Sequence, residues 1–107
     1  MKINIFMDDI RHDPQRYEDE NEVWIIQRKA EDVIRLLKKG VVNDLSLDHD
    51  MGPGELTGYE LLCWMEKNNI WPRGNVYVHS ANPSGADKMR AVINRYLEKQ
   101  GEIRSNG

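Results

Sequence analysis

The sequence predicts an α/β protein: a small open parallel sheet of four strands with helices packed on its faces. Three observations carry that expectation. Short β-rich runs alternate with stretches of helical period, the pattern of strand–helix–strand units joined in parallel. Turn formers separate them at Gly40, Gly52-Pro53-Gly54 and Pro72-Arg73-Gly74. Three of the four strand candidates run directly into carboxylate, imidazole or hydroxyl side chains.

Lys2–Met7 alternates apolar and polar residues and stops at Asp8-Asp9, which predicts a first strand. Arg11–Glu22 is dense in charge, contains Pro14 and shows no period, so a loop with at most a weak helix is expected there. Val23–Ile26 is the second strand. Ala30, Val33, Ile34 and Leu37 then follow i, i+3, i+4, i+7, with Gly40 placed to end the helix. A short third strand around Asp44–Leu47 leads into Asp48-His49-Asp50. Thr57 followed by Glu60 is a capping-box pattern that opens a helix through Leu61, Leu62 and Met65. The Trp71–Gly74 turn returns the chain to a fourth strand, Asn75–Val78, which ends at His79-Ser80. Ser84 with Asp87 repeats the capping-box pattern behind Pro83. Met89, Val92, Ile93, Tyr96 and Leu97 form the stripe of a last helix, expected to stop at Gly101, with residues 101–107 a frayed tail. The three tryptophans and Tyr59, Tyr77 and Tyr96 are expected to fill a core that has only one Phe.

At 107 residues the chain is of single-domain size, and one domain over 1–107 is expected. Its 39% hydrophobic and 31% charged residues exclude a disordered chain. No apolar run approaches the ~20 residues of a membrane span. The N-terminus turns acidic too early for a secretory signal. The lone Cys63 suits a reducing compartment, so a cytoplasmic location is expected. Residues 1–60 hold 8 Lys/Arg against 14 Asp/Glu, a charge of −6, whereas residues 61–107 hold 7 against 4, or +3. This is not the basic stripe of a duplex-binding protein.

In an open parallel sheet the carboxyl ends of the strands lie along one edge, where ligands bind between the loops. Residues 8, 48 and 79 are therefore expected to be neighbours. Crowded carboxylates repel unless a positive charge sits among them. Asp8, Asp9, Asp48 and Asp50 are accordingly candidate ligands of a hard divalent cation, Mg²⁺ or Mn²⁺, which prefer oxygen donors. Taken alone, Asp8-Asp9 would read as turn residues. Asp48, His49, His79 and Ser80 are the candidate catalytic residues, since imidazoles at strand ends exchange protons near neutral pH. Ser80, Asn82, Ser84 and Gly85 lead into a helix N-terminus, a place hospitable to phosphate. His12, in the charged loop, is expected to be solvated.

Met7-Asp8-Asp9-Ile10-Arg11, Leu45–Gly52, Thr57-Gly58-Tyr59 and His79-Ser80-Ala81-Asn82-Pro83 together resemble the cyclic-phosphate-processing receiver-like domain family, over roughly residues 2–97. The resemblance implies a flavodoxin-like, response-regulator-receiver fold. It matches Asp8 and Asp9 to the receiver's metal-binding acidic pair, Asp48 to its phosphoacceptor and Ser80 to its small hydroxyl residue. His49, Asp50 and His79 are additions typical of the cyclic-phosphate group, whose proposed role is RNA repair. Two departures stand out: no fifth strand with its lysine follows the last helix, and the first helix is degenerate.

The reading these features favour is a metal-dependent phosphoesterase acting on a cyclic phosphate, such as the 2′,3′-cyclic phosphate of an RNA end. Asp48 would either share in holding the metal or attack phosphorus directly. The alternative is a non-catalytic module that binds a phosphorylated ligand, a cyclic nucleotide or a protein. A fourth strand left without a neighbour would also offer an edge for a homodimer. A kinase-driven receiver is disfavoured by the missing lysine.

Overall fold

The computed structural model describes residues 1–10 and 21–106, with side chains through residue 101. Its elements are β1 (Lys2–Met7), β2 (Glu22–Gln27), α1 (Ala30–Lys38), β3 (Val42–Leu47), α2 (Gly58–Asn68), β4 (Val76–Val78) and α3 (Pro83–Asn106). The expected charged loop and His12 fall on residues 11–20, outside the described residues.

All strand pairs are parallel, in the order β2-β1-β3-β4. The step from β1 to β2 moves one way across the sheet, and the later steps to β3 and β4 move the other way. β1 and β3 are thus neighbours at the point where the winding reverses, and such a point opens a crevice above the strands' carboxyl ends.

Strand periodicity decides what faces the core. Ile3, Ile5 and Met7 of β1 share one face with Ile25, Val42, Leu45, Leu47, Val76 and Val78. Against that face pack Ala30, Val33 and Leu37 of α1, Leu61, Leu62 and Met65 of α2, and Met89, Val92 and Ile93 of α3. All three described helices therefore cover the same face, not both faces as expected. The crossovers from β2 to β3 and from β3 to β4 run in the same direction, and right-handed crossovers of one direction place their helices on one side. The opposite face carries Asn4, Phe6 and Asp8 in phase, all buried.

A bulge keeps this phase across the central pair. Ile3 pairs with Val42 but Ile5 with Leu45, so β3 carries one extra residue. The backbone N–H of Asp44 at the bulge donates to Oδ1 of Asn4 at 3.0 Å, and Nδ2 of Asn43 donates to the same oxygen at 2.8 Å. Beyond the bulge Met7 pairs with Leu47, which brings Asp8 and Asp48 side by side.

The helix ends follow local chemistry. α1 stops where Gly40 turns with φ +71°. At the start of α2, Thr57 Oγ1 accepts from the Glu60 N–H at 3.1 Å, and Glu60 Oε1 accepts from the Thr57 N–H at 3.0 Å, completing the expected capping box. For α3 the expected cap is corrected. The helix opens at Pro83, and Oδ1 of Asn82 accepts from the Gly85 N–H at 3.1 Å, so Asn82 caps and Ser84 lies inside the first turn. Proline suits the first helical position because its missing N–H is not needed there. α3 also continues through Gly101 to Asn106. Gly101 does not adopt the positive φ of a helix-ending glycine, and no proline follows to stop the helix.

The apolar stripe of α3 outruns the sheet. Leu97 is 57% exposed and Tyr77 47%, contrary to their expected burial, because β4 is an edge strand with nothing paired beyond it among the described residues. Trp24, Trp64 and Trp71 are half-buried rather than central, and Trp71 stacks on Tyr96 with ring centroids 3.8 Å apart. Among the described residues no helix is long and apolar enough to cross a membrane.

At Gly58 the start of α2 passes close against the backbone of Asp48. A β-carbon there would stand 2.1 Å from the Asp48 carbonyl oxygen and 2.6 Å from Cε of Met89. Gly58→Ala is therefore expected to lower stability by about 1–3 kcal/mol, the usual cost of overpacking. A urea midpoint equal to the wild type's would show that the contact relaxes freely.

Candidate functional site

The strand ends bring the acidic residues together. One carboxylate oxygen each from Asp8, Asp9 and Asp48 lie within 4.8 Å of one another, with Asp8 buried and the other two half-buried. The Asp8 carboxylate is fixed on both oxygens: Oδ1 accepts from the Ile10 N–H at 2.9 Å, and Oδ2 lies 3.1 Å from Nε2 of His79. Asp48 is held by its own chain, its Oδ1 accepting from the His49 N–H at 2.8 Å and its N–H donating to the Met7 carbonyl at 2.9 Å.

Burial pushes the Asp48 carboxyl above its ordinary range. The His49 N–H works against that shift, the charge of Asp8 adds to it, His79 opposes it and Asp9 adds again. Ionising Asp48 in the bare protein is thus costly. A divalent cation fits the donor set: three clustered carboxylates supply hard oxygen ligands, and their mutual repulsion is what such an ion would relieve.

The two histidines stand differently. His79, after β4, reaches across β3 and stacks on Phe6 of β1, with centroids 4.0 Å apart and planes 8° from parallel. Its Nδ1 lies 2.7 Å from Oγ of Ser46 and its Nε2 faces Asp8, so both ring nitrogens are engaged. His49 pairs through Nδ1 with Oδ1 of Asp50 at 2.8 Å, while its Nε2 has no hydrogen bond among the described residues. The His49 ring lies on the first turn of α3, where a β-carbon at Gly85 would come within 2.6 Å of it. Asp50 stands outside the three-carboxylate cluster with its side chain 68% exposed, so its observed partner is His49.

The residues expected to meet phosphate serve the start of α3. Ser80 Oγ accepts from the Asn82 N–H at 3.1 Å. Asn82 Oδ1 accepts from the Ser84 hydroxyl and the Gly85 N–H, both at 3.1 Å. The Ser80 hydroxyl proton is left to donate elsewhere, because that oxygen acts only as acceptor in its bond to Asn82. Lys88 and Arg90 are exposed on the helix surface.

Two contributors were not anticipated. Arg28, immediately after β2, donates from Nη1 to the Asp8 carbonyl at 2.9 Å and brings a cation to the acidic edge. The same edge rule, applied to the second strand, would have found it. Ser46 lies under His79, and its place two residues before Asp48 on the same strand face was the available signal.

An open, all-parallel α/β sheet with an acidic cluster at its winding reversal is a receiver-like, flavodoxin-type architecture. The family model described as the cyclic-phosphate processing receiver domain matches residues 3–95, and the chain belongs to that family. No curated protein and no solved structure was found to match it significantly.

The raised Asp48 carboxyl has a definite consequence for stability. A free Asp titrates at about 3.9. Folded, metal-free protein holds this proton to higher pH than the unfolded chain does, so stability falls as pH rises from that value through the raised one. Asp48→Asn should therefore raise the melting temperature of the metal-free protein at pH 7. A Mg²⁺ ion held by the three carboxylates would stabilise the wild type by mass action, and the variant should lose that gain. Differential scanning calorimetry with EDTA or Mg²⁺ checks both; a lower metal-free Tm for the variant would contradict the assignment.

Proposed function

We propose that this domain is a metal-dependent phosphoesterase that opens a cyclic phosphate, with the 2′,3′-cyclic phosphate of an RNA end as the preferred substrate class. One juxtaposition supports the reading above all: the Asp8, Asp9 and Asp48 carboxylates share an edge with a His49–Asp50 pair whose Nε2 is unengaged among the described residues. Membership of a family described by cyclic-phosphate processing supports the choice of substrate.

In this reading Asp8, Asp9 and Asp48 hold Mg²⁺ or Mn²⁺. When bound, the ion neutralises phosphoryl charge and makes water a better nucleophile. Asp50 accepts the Nδ1–H of His49, which leaves the Nε2 lone pair to take a proton from the attacking water. Asp50 also stabilises the imidazolium that forms. The Ser80 hydroxyl donates to a phosphoryl oxygen. One bond forms between water oxygen and phosphorus, and one phosphorus–ribose oxygen bond breaks. The proton taken up by His49 balances the one gained by the released ribose hydroxyl. His79, engaged at both nitrogens, holds Asp8 instead of exchanging protons with substrate.

The test is turnover of an RNA oligonucleotide ending in a 2′,3′-cyclic phosphate, in Mg²⁺ or Mn²⁺. Asp48→Ala should abolish it. His49→Ala should lower kcat by about 10²–10⁴-fold, the usual contribution of an acid–base group, without weakening metal binding. Gly85→Ala, which crowds the His49 ring, should also lower kcat. Tight RNA binding without turnover would favour a non-catalytic binding module, and full activity in His49→Ala would remove its assigned role.

A further inference from the structure

Ser46 has no part in the chemistry above, yet its hydroxyl oxygen lies 2.7 Å from Nδ1 of His79. We infer that Ser46 is a positioning residue for the Asp8 carboxylate, acting through His79, whose ring it holds as the Nε2–H tautomer.

The donor–acceptor inventory requires this direction. An ionised carboxylate only accepts hydrogen bonds. Nε2 of His79, 3.1 Å from Asp8 Oδ2, is therefore the donor. In a neutral imidazole the other nitrogen must then accept, and the hydroxyl of Ser46 stands in place to donate to Nδ1. Stacking on Phe6 fixes the plane of the ring, and Ser46 fixes its rotation within that plane.

The strand register explains why a small residue is needed at this point. Ser46 pairs with Phe6 on one side and Tyr77 on the other, so it lies between the strand that delivers His79 and the strand that bears Asp8. A large side chain there would fill the path of the ring. With Oδ1 bound by the Ile10 N–H and Oδ2 by His79, the carboxylate of Asp8 is locked in direction. Donors of this kind behind a metal-binding residue set its orientation and basicity. Ser46, His79 and Asp8 are the residue types of a nucleophilic triad, but Ser46 is 8% exposed on a strand face and is not placed as a nucleophile.

The inference rests on the reading that Asp8, Asp9 and Asp48 bind a divalent cation, and its test needs no turnover. Two quantities are measured: Mn²⁺ affinity by calorimetry, and the His79 tautomer from side-chain ¹⁵N shifts of the metal-free protein. The wild type should show His79 protonated at Nε2. Ser46→Ala should mix the tautomers and weaken Mn²⁺ binding by about 3–10-fold. His79→Ala should lose about 10–100-fold, the usual cost of removing such a partner. His79→Gln, whose amide nitrogen can still donate to Asp8, should recover part of that loss. A wild-type His79 protonated at Nδ1, or a Ser46→Ala protein with unchanged tautomer and Mn²⁺ affinity, overturns the inference alone. A wild type that binds no Mn²⁺ overturns the cation site and the inference with it.

Discussion

Three carboxylates held within a few ångströms of one another are the constraint on which the rest of this structure turns. Like charges at that spacing oppose folding unless hydrogen bonds or a cation compensate them. Each acid is handled differently. Asp8 is buried and bound on both oxygens, whereas Asp48 accepts a backbone N–H and has its carboxyl raised by burial and by its acidic neighbours. The protein tolerates the cluster because rigid strand ends deliver it and nearby donors, including His79, partly offset its charge.

That arrangement depends on phase. A strand shifted by one residue turns every side chain to the other face. The bulge in β3 adds one residue before Leu45, and Asn4 takes the backbone N–H of Asp44 at the bulge. Leu45 and Leu47 consequently stay in the core while Asp48 arrives beside Asp8. The buried Asn4, an odd choice for a central strand, is explained by that task. Gly58 and Gly85 meet the same need for close approach, one against the Asp48 carbonyl and the other against the His49 ring.

The two histidines show how similar residues acquire different work. Both follow a strand, and the sequence treats them alike as candidates for proton exchange. His79 lies across the sheet between Ser46 and Asp8 with both nitrogens committed, while His49 leans on Asp50 and keeps Nε2 unengaged among the described residues. Neighbours on other strands make that difference. Likewise Asp50 looks like one more metal ligand in the string Asp48-His49-Asp50, but it stands outside the three-carboxylate cluster and its observed partner is His49.

Much of the fold was legible in the sequence because it is written in local patterns. Hydrophobic period, the Thr57–Glu60 capping box and the Gly40 stop act within a few residues, so β1, α1 and α2 and the shared edge of Asp8, Asp9 and Asp48 could be read directly. At the start of α3 the local pattern pointed to Ser84 with Asp87, whereas the cap in the structure is Asn82. The single-sided placement of the helices, the exposure of Leu97 and Tyr77 beside an edge strand, and the roles of Ser46 and Arg28 came only from the tertiary structure. Each depends on which strands lie next to one another. That is set by the winding of the whole chain, which brings into contact residues 20 to 71 positions apart, and no short window of sequence records it.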